Sequence, residues 1–210
     1  MIRKWQMRTK SILTASFLSV ILIGSWSCSG ADQSASTSAP LITVSKLKKD
    51  LSSQLIQSNS ASLEKAGFIT SKLDPEIDQL FSVTYRGKEY FVVPVSRESV
   101  HGISAFTCSL LLFAPEGRFV GGVDTLGSGE DRPWTCDGIE ALGFDRFYSD
   151  GSLGIIAIYE GTAPSSERFR LPLVLKANTS PPTLQVDEEK SKLLSRKNIS
   201  TIRAAKNALR

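Results

Sequence analysis

The sequence predicts an α+β domain, mainly an antiparallel β-sheet of hairpins, with an N-terminal amphipathic helix and a C-terminal helical tail. Three observations predict it. Apolar residues recur three and four apart between Leu41 and Leu55, they alternate with polar ones between turn sequences from Phe81 to Leu175, and charges segregate along a short polar segment beyond Lys176.

The first helix is predicted from Leu41, Val44, Leu47, Leu51 and Leu55, set among Lys46, Lys48, Lys49 and Asp50, a stripe of about four turns. Asn59 and Ser60 end it, and Leu63 to Ala66 give a short helical turn before Gly67. Asp74-Pro75-Glu76 has the order of a helix start, with Asp as cap and Pro at the first position. Phe81, Val83 and Tyr85 then alternate with polar residues, Arg86-Gly87-Lys88-Glu89 turns the chain, and Tyr90 to Val95 returns. A second hairpin runs from Ser104 to Phe113, turns at Ala114-Pro115-Glu116-Gly117 and comes back from Arg118 to Val123. A third joins Ile139 to Tyr148 with Leu153 to Tyr159 across Ser149-Asp150-Gly151, and Phe169 to Leu175 is the last strand. Hairpin-linked strands of this kind pair antiparallel, with the first helix packed on one face of the sheet.

The tail begins with a linker from Asn178 to Pro182. Asp187, Glu188 and Glu189 then stand at a helix start, with Lys190, Lys192, Arg196 and Lys197 later, an order that matches the helix dipole. Residues 183–210 hold seven basic and three acidic side chains. Such a helix is either solvated or a basic segment that touches anionic lipid or a partner.

The start of the chain has a different logic. Arg3, Lys4, Arg8 and Lys10 precede an apolar run from Ile12 to Gly24, the layout of a secretory signal peptide. As a helix that run would be about 20 Å long, short of the roughly 30 Å of a bilayer core. Its end, Ser25-Trp26-Ser27-Cys28, resembles the lipobox of bacterial lipoproteins, in which a cysteine receives diacylglycerol on its sulfur. The usual leucine three before that cysteine and the small residue two before are replaced by Ser25 and Trp26. The resemblance implies lipidation of Cys28, cleavage before it, and a membrane contact through that lipid. Ser29 rather than Asp in the next position resembles lipoproteins sent to the outer membrane, facing the periplasm. A polar stretch to Pro40 cannot bury a core and serves as a tether. The expected organisation is therefore signal peptide 1–27, tether 28–40, one α+β domain 41–176, and linker with basic helical tail 177–210.

Cysteine parity supports export. With Cys28 taken by lipid, Cys108 and Cys136 form an even pair and a disulfide is expected between them. Charge points the same way. Residues 1–27 carry four basic side chains and no acid, so their removal leaves 21 basic and 21 acidic residues, and a neutral chain excludes nucleic acid as partner.

Catalytic signals are thin. His101 is the only histidine, and no Gly-x-Ser-x-Gly elbow accompanies it, so an enzyme is not expected. The densest polar feature is residues 130–150, where Glu130, Asp131, Asp137, Glu140, Asp145 and Asp150 face only Arg132 and Arg146 and surround Trp134 and Cys136. A disulfide would pin this acidic, Trp-bearing loop to the sheet. Glu130, Asp131, Trp134, Asp137 and Glu140 are thus the candidate partner-binding residues, the tryptophan as anchor and the carboxylates to steer the encounter. Phe144 to Gly151 also resembles the Asp-rich calcium loops of FG-GAP-type β repeats, which implies calcium at Asp145 and Asp150; the middle Asp or Asn positions are missing, and Asp150-Gly151 also fits a plain hairpin turn. The function expected is a non-enzymatic envelope lipoprotein that binds a protein partner, as an inhibitor or immunity protein against a wall- or membrane-degrading toxin. The alternative is a carboxylate hydrolase using Asp137 with Asp145, or a calcium-binding envelope protein.

Overall fold

The computed structural model describes residues 42–46, 49–75, 80–98, 106–127, 134–179 and 182–210. The signal peptide, Cys28, the tether, His101, Glu130 and Asp131 lie outside them.

Elements follow in the order β1 (Thr43–Lys46), α1 (Lys49–Ser58), α2 (Ser60–Lys65), a 3₁₀ turn at Thr70–Lys72, β2 (Leu73–Pro75), β3 (Phe81–Tyr85), β4 (Lys88–Glu98), β5 (Phe106–Phe113) and β6 (Phe119–Leu126). There follow β7 (Thr135–Asp145), β8 (Leu153–Thr162), β9 (Arg168–Thr179), β10 (Pro182–Val186), α3 (Glu188–Arg196) and α4 (Ile202–Leu209). The α+β class holds, but the strands make two antiparallel sheets rather than one. The first has the order β1-β3-β4-β5-β6 with β2 also on β4; the second has the order β10-β9-β8-β7.

Alternation decides which residues meet where. On β4, Tyr90 and Val92 point into a core shared with Ile155, Ala157 and Tyr159 of β8 and with Leu173 and Leu175 of β9. The intervening Phe91, Val93 and Val95 point to the opposite face, where Leu55, Ile56 and Leu63 of α1 and α2 cover them. The second sheet is covered in the same way: Ile156, Ile158 and Val174 on its outer face pack against Leu194 of α3 and Ala205 of α4. Four layers result, helices on each outer face of a two-sheet sandwich.

Two prolines inside strands mark where the ladders stop. Pro94 falls between Val92, the last β4 residue paired to β3, and Val95, the first paired to β2. Pro172 of β9 pairs with β8 on one side, while β10 reaches only as far as Leu175 on the other. Each proline can therefore turn its missing N–H toward a gap in the sheet.

Several predicted elements differ. The first helix starts at Lys49, because Thr43–Lys46 pair with the otherwise open edge of β3. Asp74 and Pro75 do not start a helix but pair with Ser96 and Val95 of β4, an eleven-residue strand long enough to hold β3 and β2 end to end. The linker expected at 178–182 is also replaced: Asn178 and Thr179 complete β9, and β10 returns along it from Pro182. The tail helices are docked rather than free, since the outer face of β8 is apolar and needs a cover.

Candidate functional site

Cys108 of β5 and Cys136 of β7 form the expected disulfide, with Cα atoms 5.7 Å apart. Because β5 belongs to one sheet and β7 to the other, the bond staples the sandwich at one end. Both cysteines are buried. A loop of this length contributes about 3–4 kcal/mol on the chain-entropy view.

Trp134 lies two residues before Cys136 and is 37 % exposed. Its ring is tilted against that of Phe169 at the start of β9, with centroids 5.0 Å apart. Phe106, at the start of β5, is 45 % exposed. The two meet through Gly127, at the end of β6 with φ +79°, where a Cβ would lie 2.4 Å from the Phe106 carbonyl oxygen and 2.9 Å from that of Trp134. Only glycine fits that close approach and that backbone angle. Thr107 Oγ1 donates to the Gly127 carbonyl (2.8 Å) and Thr125 Oγ1 to that of Cys108 (2.8 Å), which fixes the strand ends under the aromatics. Beside Phe106 is a hollow of about 410 Å³, lined also by Lys72, Asp74, Arg97 and Glu98. Arg97, which lines the hollow, pairs with Asp124 (2.5 Å), whose other oxygen accepts from Ser109 Oγ (2.6 Å), so that arginine is held by a charged hydrogen-bond chain.

The acidic residues separate into different settings. Asp137 is exposed beside the disulfide and accepts from Thr162 Oγ1 (2.6 Å). Glu140 is ion-paired with Arg170 on neighbouring solvent-facing surface (2.8 Å). Asp145 lies at the far end of β7, roughly 25 Å from Asp137 for eight residues of extended strand. That separation keeps Asp137 and Asp145 from sharing one reacting centre. Asp145 instead faces Arg210 (3.0 Å) and Lys206 (3.9 Å). Asp150 pairs with Lys176 (2.5 Å), and its Oδ1 accepts from the Ser152 backbone N–H (2.9 Å). The hydrogen bond from Lys176, with those from Ser152, holds the Asp150 carboxyl down to about 2. The two carboxylates proposed for calcium are thus each engaged by cations, and among the described residues no three His, Cys, Asp or Glu side chains are grouped to hold a metal. Ser149 and Asp150 are the central residues of a tight turn, closed by the Gly151 N–H to the Tyr148 carbonyl (3.2 Å), within the loop from β7 to β8.

Phe106, Phe169 and Gly127 are absent from the sequence-derived site. The only sequence signal was a glycine at a strand end; the pairing of Phe169 with Trp134 depends on the β7, β8, β9 register. Comparison of the chain with protein-family models, with curated proteins and with solved structures found no match to any of them.

Proposed function

We propose that this chain is an exported envelope lipoprotein that binds a protein partner through the disulfide end of its sandwich and carries out no catalysis itself. The observation that carries this reading is Trp134, partly exposed, its ring tilted against Phe169 and two residues from a disulfide that joins the sheets. An aromatic held this way loses little conformational freedom on binding, which is what a hot-spot anchor requires. Asp137 beside it, with Glu130 and Asp131 in the adjoining segment, supplies negative charge suited to a basic surface. Wall- and membrane-degrading toxins with basic clefts are the partner class that such an end fits, and the role is then inhibition or immunity.

Lipid on Cys28 would anchor the protein in the outer membrane, with residues 28–40 lifting the domain into the periplasm. The partner reading is tested by pull-down from the protein's own envelope with the full chain and with a variant carrying Trp134→Ala, Glu130→Ala and Asp131→Ala. Loss of the co-purified partner in the variant is expected; intact capture overturns the reading. The anchor is tested separately by intact mass of membrane-extracted protein. A mass lacking residues 1–27 with added lipid is expected, and the same truncation without lipid refutes lipidation while leaving export in place.

A further inference from the structure

At the opposite end from the disulfide, three arginines line a hollow of about 440 Å³ together with Tyr85, Tyr148, Ser149 and Asp145. The arginines are Arg86, Arg146 and Arg210.

Arg86 occupies an unusual place. It is the first residue of the two-residue turn between β3 and β4, with φ +52°, and Gly87 follows with φ +71°. Positive φ at both positions defines a turn in which Asn, Asp or Gly is normally first, and a long side chain there is disfavoured. The arginine is nevertheless well placed. Its guanidinium lies 5.5 Å from the centre of the Tyr85 ring, and it fills the space above Gly151 so closely that a Cβ there would be 1.6 Å from Nη2. Tyr85 Oη donates to the Gly151 carbonyl (2.8 Å), locking the two turns together beneath it.

The charges of the hollow do not cancel. Its single carboxylate among the described residues, Asp145, is already shared by Arg210, Lys206 and the backbone N–H of Arg146. Among the described residues no carboxylate pairs with the guanidinium of Arg86 or Arg146, and both side chains are exposed. Two guanidinium forks thus face one cavity without a counter-ion, and planar forks are suited to the oxygens of phosphate.

We propose that this hollow is an oxyanion site that takes a phosphate group through Arg86 and Arg146, with Arg210 as third cation. The phosphate comes either free or on a lipid headgroup, and the two sources share the same recognition. This proposal is independent of the partner end, which lies across the length of the sandwich.

The test is calorimetric titration of the full chain in nonionic detergent with inorganic phosphate, glycerophosphoglycerol and glycerophosphocholine. Phosphate or glycerophosphoglycerol binds, and zwitterionic glycerophosphocholine does not. Binding of phosphate alone identifies a free anion; binding of glycerophosphoglycerol identifies an anionic headgroup. Arg86→Asn and Arg146→Gln each weaken binding by about tenfold or more, as for loss of one charge-assisted contact. Asn suits the turn, so Arg86→Asn removes the charge without endangering the hairpin. Arg203→Gln, an exposed charge on α4 outside the hollow, leaves binding unchanged. The proposal is overturned if neither anion binds, if glycerophosphocholine binds equally well, if Arg86→Asn and Arg146→Gln both bind like the parent, or if Arg203→Gln weakens binding as much as they do.

Discussion

The two ends of the sandwich are closed by opposite means. At the disulfide end the closure is covalent, through Cys108–Cys136, and it leaves Trp134 and Phe106 facing solvent. At the other end the closure is polar. Tyr148 Oη donates to Asp187 (2.6 Å), while the ammonium groups of Lys190 and Lys176 lie 4.7 and 5.2 Å from the centre of its ring. Those lysines pair in turn with Asp187 (3.2 Å) and Asp150 (2.5 Å), and Asp187 also caps α3 by accepting from the Lys190 backbone N–H. Burial pushes the Tyr148 phenol up, helped by the hydrogen bond to Asp187. Burial also pushes Asp187 up, but the hydrogen bonds from Tyr148 and Lys190 outweigh it and hold the carboxyl below its ordinary range. A polar end can satisfy its own groups internally, whereas an end fixed by a disulfide can leave large aromatics free for a partner. The hollow around Arg86 and Arg146, beside the Tyr148 network, is the exception that carries unmatched charge.

Removing the staple should have the largest effect. Cys108→Ser with Cys136→Ser is expected to lower stability by about 3–4 kcal/mol in urea unfolding under oxidising conditions. Hydrogen exchange should then rise first at the ends of β5 and β7. Trp134→Ala should separate function from folding: about 2 kcal/mol of partner affinity is lost, roughly thirtyfold by titration. The same variant costs only about 1 kcal/mol of stability, the worth of the contact with Phe169. At the polar end, Asp187→Ala removes a helix cap and the acceptor of Tyr148, at about 1–2 kcal/mol in the same unfolding assay, with no change in partner binding.

The smallest effect concerns acid. The carboxyls of Asp187 and Asp150 are both lower in the folded chain than in an unfolded one. Their contribution is therefore complete above the ordinary carboxylate range and is lost as the pH falls from about 4 towards about 2. Urea midpoints measured stepwise across that window should decline, and Asp187→Ala should flatten the decline. The Asp150 carboxylate is exposed and its pairing with Lys176 is screened by solvent, so Asp150→Asn is expected to change the slope least.

Much of this comparison was legible in particular residues. The β3–β4 hairpin followed from alternation at Phe81, Val83 and Tyr85 before Arg86-Gly87, and the disulfide from the parity left once Cys28 is set aside. Local patterns fixed hairpins but not how hairpins stack, so two sheets were read as one. The apolar run Ile155 to Ile158 did carry a signal, because a strand apolar on both faces requires cover on both. That cover is what docks α3 and α4, which charge alone presents as a free tail. Val44 fits a helical stripe in sequence but lies on an edge strand, since the open edge of β3 outcompetes a marginal first turn. Of the site, Trp134 was legible through its nearness to Cys136. Phe106 and Phe169 were not, because they reach it only through strand register, and Tyr148 gave no sign that Asp187, the cap of α3, would become its partner.

The most direct test of partner binding at the disulfide end is photo-crosslinking in the living envelope, with a benzophenone amino acid placed at position 134 in one strain and at position 149, in the polar end, in another. Adducts to a single protein from position 134, abolished by Glu130→Ala with Asp131→Ala, and none from position 149 to that protein, are the predicted result. The same adduct from position 149, or none from position 134, would contradict it.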